Sequence, residues 1–230
     1  MNVRNLAITI LILAAPGAGA FAQDLHLPDG NRVEFEWVVT DGKGYKWDLQ
    51  SNCCVGNGTR TGVEGIVTYD GCMLPHVNSV RFDAREGGGL VGSPPARYRE
   101  DPREIEGGPW TVGPLRISKR VHVPTDAAYC RWIDIYENTS DRDFAFALRY
   151  RIDVSQGIQQ VLTPSGEKDI GEDHCAFLTA DGEGSGRPVL CHVFANKGAP
   201  LRAKVQIGRD GPHIIEYDWE VKIPAGNRTG

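Results

Sequence analysis

Period-two alternation constrains this chain more than any other feature. Phe144, Phe146, Leu148, Tyr150, Ile152 and Val154 fall on one side of an extended backbone, and Ala145, Ala147, Arg149, Arg151 and Asp153 on the other. The pattern returns in Val33, Phe35, Trp37 and Val39 against Glu34 and Glu36, and in Leu115, Ile117, Val121 and Val123 against Arg116, Ser118, Arg120 and His122. It closes the chain in Ile215, Tyr217, Trp219, Val221 and Ile223 against Glu216, Asp218, Glu220 and Lys222. Successive strand side chains point to opposite faces, so each segment offers one face to a core and one to water. No long segment carries apolar residues at helical spacing, and Gly and Pro recur throughout. The predicted fold class is therefore all-β, an antiparallel β-sandwich with little or no helix.

Turn-forming stretches separate these strands: "NGTRTG" from Asn57, "NTSDR" from Asn138, "TADGEGSGRP" from Thr179 and "RDGP" from Arg209. Their Asn, Asp and Gly residues tolerate positive φ or cap their own backbone. Cys130–Val154 reads as a hairpin with "ENTSDRDF" as its turn. Arg85–Trp110, rich in charge, Gly and Pro and poor in alternation, reads as a long surface loop (85–110).

The opening "MNVRNLAITILILAAPGAGAFAQ" has a short n-region with Arg4, an apolar run from Leu6 to Ala15 and an Ala20-Phe21-Ala22 site. That is the layout of a cleavable signal peptide over residues 1–22, leaving 23–230 as a single β-sandwich domain that begins at Gln23. Nothing later approaches the roughly 20 apolar residues of a spanning helix, so no membrane span is expected after cleavage. The expected location is secreted, periplasmic or cell-surface. With a formal net charge of −5 and no Lys/Arg cluster, nucleic acid is an unsuitable partner, because a phosphate backbone requires a basic face.

Six cysteines in an exported chain point to disulfides, whose connectivity spacing alone does not fix. Cys175 and Cys191 flank the turn at Glu183 and Gly184 and are the first candidate pair; Cys72 could meet Cys53 or Cys54 across the 56–65 turn region. No C-x-x-C motif suggests zinc.

Asp181, Glu183 and Ser185 alternate before Gly186 as in the first half of a calcium loop, but its twelfth position is His192 rather than a bidentate Glu. These three are the only calcium candidates, and no other cofactor is expected. Ser155 and Ser165 lack a nucleophile elbow. Asp70, Asp101, Glu106, Glu172 and Asp173 fall in expected loops and read first as solvated surface acids, although paired carboxylates are all that glycoside hydrolysis needs. Trp37, Trp132 and Trp219 lie within strands and read as core, whereas Trp47, after "DGKGYK", and Trp110, at the end of the loop, are the candidates for stacking on a sugar.

"GPLRISKRVHVPTDAAYCRWIDIYENTSDRDFAFALRYRIDVSQG", "DHCAFLTADGEGSGRPVLCHVF" and "YDWEVKIPAG" together resemble a β-sandwich module of secreted bacterial proteins, similar to the supersandwich of galactose-mutarotase-like and glycosidase-associated domains. The shared features are a V-x-V-P strand end, an E-N-x-S-D turn, a D-G turn before "PVL" and a W-x-V-x-I-P-A-G strand. "YKWDLQ" and "YDGCMLPHVN" resemble the N-terminal part of such a domain. Members of that fold bind sugars, catalyse or serve as architecture. None of the mutarotase His/Glu machinery matches, so the resemblance implies no catalytic residue. In such modules "IPAG" leads into another core strand, so the resemblance implies that 23–230 is truncated or a divergent short form at its C-terminal side.

The expected function is a non-catalytic extracellular recognition module, with carbohydrate or another extracellular protein as partner, or surface architecture. Its alternatives are a carbohydrate-active hydrolase, lyase or epimerase on the same sandwich, and a subunit of a surface layer or filament.

Overall fold

A computed structural model describes residues 26–27, 37–50, 52–55, 61–62, 66–80, 103–155, 157–183 and 185–226, and the backbone alone at 6–11, 31–32, 63, 81, 97–98 and 228–229. Strands account for all its regular structure; no helix occurs among the described residues. The strands before the middle of the chain are β1 (Leu6–Leu11), β2 (Asn31–Arg32), β3 (Trp37–Thr40), β4 (Lys46–Leu49), β5 (Gly62–Val63), β6 (Ile66–Val67), β7 (Tyr69–Val77), β8 (Val80–Arg81) and β9 (Arg97–Tyr98). Four long strands follow: β10 (Glu104–Val112), β11 (Leu115–His122), β12 (Tyr129–Asn138) and β13 (Phe144–Val154). The remainder are β14 (Gln160–Leu162), β15 (Ala176–Ala180), β16 (Val189–Val193), β17 (Lys204–Ile207), β18 (Ile214–Ile223) and β19 (Arg228–Thr229).

A large sheet runs β14-β15-β16-β1-β12-β11-β10-β9-β2, with β19 on the far end of β12. A second sheet runs β17-β18-β13-β7-β8, and a third, smaller one β3-β4-β5-β6. The first two pack face to face: the Tyr136 ring of β12 lies 5.5 Å from Phe146 of β13, and Phe177 of β15 lies 6.2 Å from Tyr217 of β18. The third sheet contributes Trp47, whose ring meets Trp132 at 5.7 Å and Tyr69 at 6.1 Å. Trp47 and Trp132 are wholly buried, and truncating such a ring to Ala costs about 3–5 kcal/mol.

The alternating segments form strands where the sequence places them: β11, β13 and β18 each bury their apolar set. Of the 33–39 segment, residues 33–36 lie outside the described residues. Two expectations need correction. Cys130–Val154 is not a hairpin, because β12 pairs with β11 and β1 while β13 pairs with β18 and β7. The 139–143 connection instead arches between sheets. Asn138 pins the arch, its side-chain amide donating to the carbonyls of Arg142, Ile223 and Pro224 and its Oδ1 accepting from Ser140.

The expected 85–110 loop also ends earlier than its composition suggests. Glu104–Trp110 belongs to β10, paired with β11 from Glu104↔His122 to Val112↔Leu115 across a bulge between Gly107 and Trp110. A bulge adds a residue to one strand and breaks its alternation, which is why this stretch reads as irregular. Residues 82–96 and 99–102 lie outside the described residues.

β1 consists of apolar-run residues that the sequence assigns to the signal peptide. It runs parallel to both neighbours, Ile8 opposite Tyr129 on one side and Cys191 on the other. Cleavage after Ala22 would therefore strip a strand from the large sheet and leave unpaired ladder groups on both flanks. We expect the amides of 129–132 and 189–193 to exchange faster in a chain starting at Gln23 than in the full chain. Hydrogen exchange measured residue by residue on both forms checks this; equal protection would show that β12 and β16 find other partners.

Candidate functional site

Strands β10, β11 and β12 turn their alternate residues outward, and the bulge in β10 makes that outer surface concave. The cavity there holds about 220 Å3 and is lined by His26, Leu27, Glu106, Gly108, Pro109, Arg116, Ser118 and Glu137. It is smaller than the roughly 300–1,000 Å3 of drug-sized pockets and suits one small polar moiety. Gly108 is required at its wall: its φ is +99°, and a Cβ would lie 2.7 Å from the Ile117 carbonyl oxygen.

Two carboxylates flank one imidazole in this cavity. Glu106 reaches His26 Nδ1 at 2.6 Å with Oε1, and its Oε2 accepts the Leu27 N–H at 2.5 Å. Glu137 Oε2 stands 3.8 Å from His26 Nε2 and 3.5 Å from Arg116 Nε. Both acids are 9 % exposed, while half of the Arg116 side chain is open to solvent. Charge continues along the same face, where Glu104 meets Arg120 at 2.7 Å and Arg131 at 3.8 Å. Buried carboxylates aimed into a concave site accept hydrogen bonds from hydroxyl or ammonium groups, and the guanidinium donates from the rim.

The residues singled out in the sequence fall mostly elsewhere. Trp47 and Trp110 are buried at 0 % and 4 % exposure, so neither ring is open to a sugar. Trp47 is held by the small sheet, its Nε1–H donating to Asp41, while Trp110 follows the pocket's Pro109 but turns into the core. Of the five expected loop acids, Glu106 belongs to the site. Asp70 lies in β7, Glu172 and Asp173 are exposed, and Asp101 lies outside the described residues. His26, Arg116 and Glu137 escaped the sequence reading, since only the register Arg116↔Glu137 brings the latter two together.

The calcium candidates do not assemble a site. Asp181 Oδ2 faces Arg187 at 3.7 Å, Ser185 Oγ accepts from the Arg187 N–H, and Glu183 stands between them in the turn. His192, at the loop's twelfth position, is fully buried. It pairs with Thr179 Oγ1 at 2.9 Å and stacks on Phe177 at 4.8 Å. No metal-holding cluster of His, Cys, Asp and Glu occurs among the described residues.

The expected cysteine pairs are not bonded, and none of the six cysteines forms a disulfide in this structure. Cys191 stands opposite Leu178 rather than Cys175, because the β15–β16 register is offset from the symmetric turn assumed from sequence. The partner opposite Cys72 is Val55, and the Cys54 thiol donates to the Met73 carbonyl at 3.0 Å.

Ser165, His174 and Glu167 form a group that resembles a nucleophilic triad. His174 Nε2 lies 2.8 Å from Ser165 Oγ, which lies 3.2 Å from Glu167 Oε2. Yet the Gly171 N–H donates to His174 Nδ1 at 2.8 Å, so Nδ1 carries no proton and Nε2 does. An Nε2–H already donating to Ser165 cannot take its proton, so the arrangement is a structural hydrogen-bond chain rather than an activated serine.

Burial pushes the His192 pKa down to about 3. Its unfolded form titrates near 6.5, so between those values the unfolded chain binds a proton that the folded one refuses. The stability supplied by the neutral ring is complete above the unfolded pKa and is lost as pH falls toward the folded one, at up to about 1.4 kcal/mol per unit. We expect His192→Gln to be less stable than the parent at neutral pH, with the gap narrowing toward about pH 4.5. Urea midpoints of both chains across that range check this, and parallel slopes would refute it. Neither protein families, curated proteins nor solved structures match this chain, so its function is read from the chemistry of its own site.

Proposed function

We propose that this chain is an exported, non-catalytic β-sandwich module that recognises an extracellular carbohydrate through the His26–Glu106–Arg116–Glu137 pocket. The observation that carries the reading is the pair of nearly buried carboxylates opening, with a solvent-facing guanidinium, into one cavity. Hydroxyl groups donate to such oxygens and accept from such a rim, and a cavity of this size suits a single sugar ring. The signal-peptide layout and the resemblance to galactose-mutarotase-like supersandwiches support the same reading. A protein partner could present the same hydroxyl or ammonium chemistry, but the concave shape favours the smaller group.

A second reading, a carbohydrate-active enzyme, is favoured by one specific feature: Glu106 and Glu137 face each other across an imidazole. Displacing His26 would leave two carboxylates around a substrate, as acid–base hydrolysis of a glycoside requires.

The test is a glycan-array and insoluble-polysaccharide screen of the chain from Gln23, with Glu106→Gln, Arg116→Ala and Glu137→Gln alongside. Loss of one hydrogen bond to a charged group is expected to weaken a specific ligand by about tenfold or more in each variant, with thermal unfolding unchanged enough to certify the fold. No binding, or binding indifferent to all three, would sink the recognition reading. Turnover of a bound glycan that Glu106→Gln abolishes while binding persists would establish the enzyme instead.

A further inference from the structure

Between the two large sheets, where apolar packing is expected, lies a charged pair. Lys119 of β11 and Asp134 of β12 are 2 % and 0 % exposed, and they are direct cross-strand partners. The Lys119 Nζ lies 2.6 Å from Oδ1 and 2.8 Å from Oδ2, so it bridges both oxygens of the carboxylate rather than one. Tyr150, reaching across from β13, donates its hydroxyl to Oδ2. Its oxygen in turn lies 2.7 Å from the Tyr136 hydroxyl, and its ring lies under the ammonium at 5.1 Å. Burial pushes both phenols well above their ordinary range, so they remain protonated hydrogen-bond donors.

We propose that Lys119 and Asp134 are a modification site, joined by an intramolecular amide bond that forms spontaneously once the sandwich has closed. One Nζ proton passes to Oδ1, turning the ion pair into a neutral amine and a carboxylic acid. The amine lone pair attacks Cγ, the Nζ–Cγ bond forms, and charge developing on Oδ2 is held by the Tyr150 hydroxyl. A second Nζ proton then joins Oδ1, the Cγ–Oδ1 bond breaks, and Oδ1 departs as water. Two hydrogens and one oxygen leave, the opposite charges vanish together, and nothing is oxidised or reduced.

Three physical features favour this step. The amine is held against both oxygens of the carboxyl it would attack, which converts a bimolecular condensation into an intramolecular one. The site excludes water, so the reverse hydrolysis lacks its reactant. Finally, a buried ion pair carries a large desolvation cost that an amide does not, so the local environment favours the uncharged product. The link would staple β11 to β12 at the centre of the large sheet, a use that suits a chain working outside the cell.

Intact-mass spectrometry of the purified, denatured and thiol-reduced full chain tests the proposal, followed by tryptic mapping. The expected result is a mass one water below that of the same unlinked polypeptide, loss of cleavage after Lys119, and a branched peptide joining 117–120 to 132–142. Lys119→Met and Asp134→Leu should each restore the full mass. A wild-type chain at full mass would overturn the proposal even if both variants fail to fold. So would a water deficit that persists in either variant or maps to another site.

Discussion

The Lys119–Asp134 pair sets the alignment of the sandwich. Burying a charge pair is costly unless each remaining polar atom has a partner, and here the partners come from both sheets: Lys119, Asp134 and Tyr136 from one, Tyr150 from the other. A lateral slide of either sheet would leave a carboxylate or an ammonium unpaired in a water-free core. Apolar contacts between the sheets tolerate small shifts, whereas this polar group does not. The aromatic contacts around it, Tyr136 on Phe146 and Tyr150 on Trp219, fill space on a frame that the hydrogen bonds define.

The same registration builds the outer site. β11 alternates Leu115, Ile117, Lys119 and Val121 inward with Arg116, Ser118 and Arg120 outward. The pairing that places Lys119 opposite Asp134 also places Arg116 opposite Glu137. A one-residue slip would exchange the faces, exposing the core pair and dismantling the pocket at once. Core and site are therefore one constraint expressed on two sides of a single strand pair, and the bulge between Gly107 and Trp110 adds the concavity without disturbing either.

The sequence made faces legible but not partners. Alternation in 115–123, 144–154 and 215–223 identified strands and their buried sides, because the two-residue period is a property of the backbone itself. Which strand neighbours which depends on contacts distant in sequence, so 130–154 reads as a hairpin although it crosses between sheets. For the same reason Cys175 seemed to face Cys191. Aromatic residues misled in another way: Trp47 and Trp110 follow polar or Gly-rich stretches, but large rings near chain reversals are as useful for closing a core as for binding. Asn138, legible only as the start of a turn, spends its amide on the arch and is buried at 2 % exposure. Glu106 was visible as an acid and Glu137 only as a turn residue, and neither could be seen as half of a pair.

Lys119 and Asp134 did leave a trace in the sequence. Each stands where the alternation demands an apolar side chain, Lys119 between Ile117 and Val121, Asp134 between Trp132 and Tyr136. One such interruption in a strand usually marks an edge or an irregularity. Two of opposite charge, on consecutive long strands and equally far from the point between Asp126 and Ala127 in the connection that joins them, are a different signal. Antiparallel pairing brings equidistant residues face to face, so the two exceptions to the pattern explain each other. Violations of alternation that pair under the simplest register are therefore where buried polar chemistry should be sought in an all-β chain, and here they point to the centre of the molecule.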